Sequence, residues 1–146
     1  MYRKILVPLD GSETAEEALP HAQELSGRLG VDLAMLSVCS SQDPDSISGL
    51  TTYVEQKAVH VQRWAREIQE EKGSGHRDAL VKTYGIVVVG EPVDGIVNYC
   101  EQHGIDLIVM THHGKSGLKD LVLGGVADRI IRAGHIPIQL IPNRTD

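Results

Sequence analysis

The stretch THHGKSGLKDLVLGGVADRI, residues 111–130, concentrates the residue types that can hold a phosphate: four glycines, two adjacent histidines and a Gly-Lys-Ser triplet. Gly-Lys-Ser ends a P-loop, but the P-loop pattern needs its first glycine at position 109, where Val109 stands inside an apolar run. A dinucleotide fingerprint is also absent, because the first apolar run is followed by Asp10-Gly11-Ser12 with no second glycine at the required spacing. Another cradle fits the spacing. Gly114 follows a strand-like run directly, and Gly124 and Gly125 stand where a helix would start. Glycines let backbone N–H groups approach phosphate oxygens, and a helix N-terminus favours negative charge. Lys115 would add a point charge. On spacing alone the opposite reading is equal: Gly114 is a turn residue and Gly124-Gly125 permits close packing.

Asp10 is the second chemical candidate. A carboxylate accepts hydrogen bonds only and suits an amino group or hydroxyl of a ligand, but Asp-Gly-Ser is also a sequence for an Asx turn. Gly90, after the third strand, either lines a pocket or makes a turn. His112 and His113 do not read as a zinc site, since adjacent side chains point in opposite directions and no second ligand cluster is near in sequence. His21, His60, His76, His103 and His135 read as solvated. Cys39 and Cys100 form no C-x-x-C pair and imply a reducing compartment; Cys39 reads as a small buried residue. No G-x-S-x-G elbow or carboxylate pair beside a nucleophile is evident, so a nucleotide site here would bind with at most slow hydrolysis.

These residues need elements to position them. Residues 4–9 read as a strand, then Ala15, Ala18, Leu19, Ala22, Leu25 and Leu29 fall at helical spacing, with Thr14 and Glu17 as a capping box and Gly30 as a stop. Strands are expected over 32–38, 80–89, 105–110 and 137–141, and helices over 54–73, 93–104 and 122–132, with a polar mobile loop at 40–50. The β-α alternation demands a parallel sheet with helices on both faces. Ligands then bind beyond the carboxyl ends of the strands, where strand order reverses. That directs attention to loops 8–14, 38–50, 90–92 and 111–126.

The whole chain, 146 residues, fits one domain spanning 1–146 with a short tail at 142–146. It has no Phe and one Trp, so the core must be aliphatic. A net charge of −6 and the absence of a Lys/Arg run argue against nucleic acid or an anionic membrane as partner. The first residues are too short and polar for a signal peptide, and no apolar run reaches a membrane span, so a cytoplasmic protein is expected.

KILVPLDGSETAEEAL near the start, GEPVDGIV in the middle and DLIVMTHHGKSGLKDLVLGGVADRIIRAGHIPIQLI near the end resemble the universal stress protein A family across essentially the whole chain. The resemblance implies a doubly wound, nucleotide-binding α-hydrolase-like α/β fold with one five-stranded parallel sheet of order 3-2-1-4-5. It also implies an ATP site on the pattern G-x-x-G, nine residues, G-[ST]. Here the pattern falls on Thr111 to Gly114, then Lys115 to Leu123, then Gly124-Gly125. Thr111 replaces the first glycine and Gly125 replaces the hydroxyl residue. A branched side chain at 111 resists positive φ, and the loss at 125 removes one hydrogen bond to phosphate, while the N–H groups of Gly125 and Val126 remain. By the same resemblance Asp10 faces adenine and ribose, Pro8 and Val38 flank the base, and His113 orients the loop or touches the nucleotide. Pro8 and Val38 could equally be core.

The implied function is that of an ATP-binding regulatory module in the stress response, with Mg²⁺ arriving on the phosphates and an unknown protein partner reading the bound state. The apolar last strand, Pro137 to Ile141, would be a sheet edge that invites pairing, and in the family it commonly pairs across a two-fold axis, so a homodimer is expected. Two alternatives stand: a dimeric interaction protein of the same family that binds no nucleotide, and a slow ATPase.

Overall fold

In the computed structural model, residues 2–72, 79–112 and 125–142 are described. Five strands carry the frame: β1 (Lys4–Pro8), β2 (Asp32–Cys39), β3 (Thr83–Val89), β4 (Leu107–Thr111) and β5 (Ile138–Ile141). They form one sheet of order β3-β2-β1-β4-β5, and every neighbouring pair is parallel. The helices are α1 (Glu13–Glu16), α2 (Leu19–Leu29), α3 (Pro44–Lys72), α4 (Pro92–His103) and α5 (Gly125–Ala133).

Strand side chains alternate between faces, and each face of the sheet has its own core. Ile5, Val7, Leu33, Met35 and Val109 pack with residues of α1, α2 and α3. Leu6, Ala34, Leu36, Ile108 and Met110 pack with residues of α4 and α5. This is why the inner strands β1, β2 and β4 are largely apolar rather than alternating: both of their faces are covered. No helix of the described residues is long and apolar enough to cross a membrane.

Three local expectations are corrected. The first helix is not capped by Thr14 and Glu17. Ser12 is its N-cap, its Oγ accepting the Ala15 N–H at 3.1 Å. The helix is also two pieces, because Pro20 lacks the N–H that would continue the ladder and sits instead in the first turn of α2. Residues 40–50 are not one loop, since α3 begins at Pro44. Asp43 Oδ2 accepts the Ser46 N–H at 3.2 Å, so the Asp-Pro pair that resembles a loop sequence starts a helix. The final helix of the expectation starts within 122–124, outside the described residues; from Gly125 onward it is α5.

Candidate functional site

The helices that follow β1 pack on one face of the sheet and the helix that follows β4 packs on the other, which is the arrangement that leaves a crevice between the carboxyl ends of these two neighbours. A cavity of about 320 Å³ opens there. Its β1 side is built tightly. Leu9 N–H donates to Leu36 O at 2.8 Å and Ser37 Oγ donates to Leu9 O at 2.7 Å, so the exit of β1 is tied to β2. Gly11 then takes φ 87°, a left-handed conformation that suits glycine, and the chain turns. Asp10 Oδ1 accepts the Ser12 N–H at 3.0 Å and the Ser12 hydroxyl at 2.6 Å. The Asx turn is therefore formed, and the same Asp10 lines the cavity.

The cavity collects Pro8, Asp10, Val38, Thr111, Gly125 and Val126 from among the residues singled out in the sequence. Gly90 does not line it; that glycine has φ 155° and donates its N–H to Cys39 O at 2.9 Å, so it makes the turn after β3. The wall expected from Gly90 comes instead from Pro92 and Ile96 of α4. His113, Gly114, Lys115 and Gly124 lie outside the described residues. Sequence reasoning missed Leu36, Ile96, Met110 and Ala127 as wall residues, although each stands near a strand's carboxyl end or in a helix facing it. It also considered His112 only as a metal ligand, whereas His112 lines the cavity. Among the described residues no group of three or more His, Cys, Asp or Glu can hold a metal ion.

The two departures from the glycine pattern can be placed. Thr111 is the last residue of β4 and is buried. No non-glycine residue among those described has positive φ, so Thr111 sits there without left-handed strain. Gly125 is the first residue of α5, and a Cβ built on it meets nothing within 4 Å.

Helix α4 is held close to the sheet by Gly95, where a Cβ would lie 2.8 and 2.9 Å from the two Val38 methyls. Its N-cap, Glu91, accepts the Asp94 N–H at 2.9 Å and, through Oε2, Arg129 Nη1 of α5 at 2.9 Å. The backbone bond from Asp94, joined by the Arg129 guanidinium, holds the Glu91 carboxyl below the usual value. Two of the helices that wall the cavity, α4 and α5, are thus linked at their outer rim. Cys39 is buried with Sγ 3.2 Å from Ser41 O, and burial pushes the Cys100 thiol up to about 12. A second cavity of about 250 Å³, bordered by Lys4, Asp32, Tyr84, Tyr99 and His103, lies at the amino ends of the strands and gathers none of the predicted site residues.

The sequence and the fold match known proteins over their whole length. The family model described as the universal stress protein family matches residues 1–142. The universal stress protein MJ0577 of Methanocaldococcus jannaschii is 30% identical, over 99% of this chain and 97% of that protein. The Bacillus subtilis universal stress protein YxiE is 26% identical, over 97% and 99%. The solved structure of MJ0577 superposes with a TM-score of 0.69, covering 100% of this chain and 99% of that one. A universal stress protein in complex with cAMP (TM-score 0.60, 20% identity, 97% and 98% covered) shares the fold. So does an Arabidopsis thaliana family member with AMP bound (TM-score 0.57, 18% identity, 99% and 94% covered). The chain belongs to the universal stress protein family.

Proposed function

We propose that the crevice between β1 and β4 binds an adenine nucleotide, ATP in the first place, and that the protein is a nucleotide-dependent regulatory module. The observation that carries this is the convergence of Pro8, Asp10, Val38, Thr111, Gly125 and Val126 on one cavity at the topological switch point. The residues fit the group. A flat base suits walls of Pro8, Leu36, Val38 and Met110, and Asp10 offers an acceptor to an amino group or hydroxyl. Gly125, Val126 and Ala127 of α5 line the same space, and phosphate oxygens are favoured at a helix N-terminus. A volume of about 320 Å³ is at the lower end for small-molecule sites, enough for a nucleoside with its phosphates reaching outward.

Two proteins of this fold carry adenine nucleotides, cAMP in one and AMP in the other. At 20% and 18% identity they speak for the fold, and the cleft's own residues support the ligand. Mg²⁺ would come bound to phosphate and water oxygens, needing few protein ligands. Binding works as a switch if the nucleotide prefers one arrangement of the cleft's rim over another. The outer strand β5 is the surface we assign to homodimerisation, and two free, buried thiols suit a reducing cytoplasm.

The second reading, a dimeric interaction protein without nucleotide, is favoured by Thr111 and Gly125 standing where the family pattern has glycine and a hydroxyl. Protein purified without added nucleotide, denatured and examined for adenine nucleotides, separates the two. Calorimetry of ATP on stripped protein follows, with Asp10→Asn beside the wild type. The amide retains an acceptor for the Ser12 turn but loses the charge. We expect bound nucleotide and saturable heat, weakened in Asp10→Asn. No nucleotide and no heat at millimolar ATP overturn the binding reading. Phosphate release with and without Mg²⁺ distinguishes a slow ATPase.

A further inference from the structure

Helix α1 is a weak element in an important place. It has four residues, Glu13–Glu16, and only Ala15 is buried. A single helical turn does not hold itself together in water. Yet Asp10, just before it, and Ala15, within it, both line the cleft. The Asp10–Ser12 turn and the Ser12 cap hold its start, so it is the far end of the segment that needs an anchor from outside. The opposing helix α3 supplies it through one carboxylate: Glu16 Oε2 accepts the Tyr53 hydroxyl at 2.6 Å, and Glu16 Oε1 pairs with Lys57 Nζ at 3.0 Å. Lys57 also lies 5.9 Å over the Tyr53 ring. Asp10 and the backbone N–H of Gly11 are within electrostatic reach of the same hydroxyl. Burial first, then the bond to Glu16 and the charges of Glu16 and Asp10, hold the Tyr53 hydroxyl well above the usual tyrosine value, so it remains a donor through the neutral range.

We propose that Tyr53 and Glu16 are positioning residues of the nucleotide cleft, bracing the 10–16 segment against α3 so that Asp10 and Ala15 meet the base and ribose. The inference rests on the adenine-nucleotide reading and adds to it a brace outside the cavity wall. Neither Tyr53 nor Glu16 lines the cavity, so their effect on binding is indirect. The brace also gives the nucleoside end of the cleft a different dependence from the phosphate end at α5.

The test uses the full chain stripped of nucleotide. Tyr53→Phe removes one oxygen and keeps the ring beneath Lys57. Its dissociation constants for ATP and for adenosine should rise by the same factor, about tenfold for a lost bond to a charged acceptor, while binding of inorganic tripolyphosphate is unchanged. Amide exchange at Gly11 and Ser12 should quicken without any ligand. Glu16→Ala should reproduce these effects and Glu16→Gln, whose amide oxygen still accepts the hydroxyl, should restore most of the affinity. Combining Tyr53→Phe with Glu16→Ala should cost no more than Glu16→Ala alone, because the loss of the carboxylate already removes the acceptor of the Tyr53 hydroxyl. Wild-type binding with Tyr53→Phe affinities and exchange unchanged overturns the brace alone. Equal weakening of ATP and tripolyphosphate also overturns it, since that marks a general loosening. Absence of ATP and adenosine binding in the wild type overturns the nucleotide reading and the brace with it.

Discussion

At the scale of single residues, the two departures from the glycine pattern have different physical weight. Thr111 ends a buried strand with an ordinary backbone, so a methyl and a hydroxyl are accommodated where the pattern has a glycine. Gly125 is a real loss of chemistry, because a hydroxyl at the first residue of a helix facing the cleft would add a donor beside the backbone N–H groups. The open space around its missing Cβ makes the loss reversible. Gly125→Ser is therefore expected to tighten ATP binding by about tenfold, the low end of a hydrogen bond to a charged group, in calorimetric titration. Gly125→Ala is the control: it supplies the Cβ without the hydroxyl and should leave the affinity unchanged. Equal tightening in both variants would mean that helix stabilisation, not a phosphate contact, is at work. Cys39 and Cys100 carry less chemistry than their type allows. Both are buried, and with its thiol pushed up to about 12, Cys100 has almost no thiolate at neutral pH.

At the scale of elements, the cleft depends on how α4 and α5 are set against the sheet. Gly95 allows α4 to approach β2, and a methyl there must displace Val38, which lines the cavity. Gly95→Ala should therefore destabilise by about 1–3 kcal/mol, the usual cost of overpacking, and weaken nucleotide binding as Val38 is pushed into the cavity; thermal unfolding and titration read the two effects separately. Glu91 links the same helices at the rim. Its folded-state pKa is depressed, so its contribution to stability is present above the ordinary glutamate range, about 4.3, and fades as pH falls through the lower folded value. The wild type should melt above Glu91→Gln at neutral pH and low salt, and the gap should close toward pH 3; a gap independent of pH would assign the effect to capping alone. Continuous apolar runs bounded by Gly and Pro made the strands legible in sequence, and alternation made the parallel sheet so. What was not legible followed from residues with two uses. Asp43-Pro44 serves a loop or a helix start equally well, and only the Asp43–Ser46 bond decides it. Pro20 divides a helix whose apolar spacing runs through it without interruption. Of the cleft, Asp10 and Gly125 each had two uses in sequence, a ligand contact or an Asx turn for the one and a phosphate cradle or close packing for the other, and it was the family pattern rather than the residue type that singled them out. Ile96, Met110 and His112 were not legible as cleft residues, because their types fit a core or surface position as readily as a cavity wall.

At the scale of the whole molecule, the sheet order leaves β5 as an outer strand beside β4. The Ile108 N–H donates to Pro137 O at 2.9 Å, so residue 137 faces β4 with its backbone, and by the alternation of a strand so do 139 and 141. Residues 138 and 140 then present their N–H and C=O groups to the open edge. Paired across a two-fold axis, that edge satisfies the same groups on both copies, and the interface is self-complementary. A four-residue strand cannot by itself supply the roughly 1,200–2,000 Å² of a stable interface, so surface beside it must contribute, and removing one edge donor should weaken the dimer rather than unfold the chain. Leu140→Pro deletes the outward N–H at a position where an edge strand tolerates proline. Sedimentation over a micromolar concentration series should show the wild type as a dimer and Leu140→Pro shifted toward monomer, with circular dichroism unchanged. A wild type that sediments as a monomer throughout, or a variant that remains dimeric, would remove β5 as the pairing edge. If the dimer forms there, β5 adjoins the cleft through β4, since Ile141 pairs in register with Thr111, which lines it. Nucleotide bound against Thr111 then lies one strand away from the subunit boundary. Dimer dissociation measured with and without saturating ATP should differ; identical constants would separate the ligand from the assembly and leave the rim of the cleft as the surface that reports its occupancy.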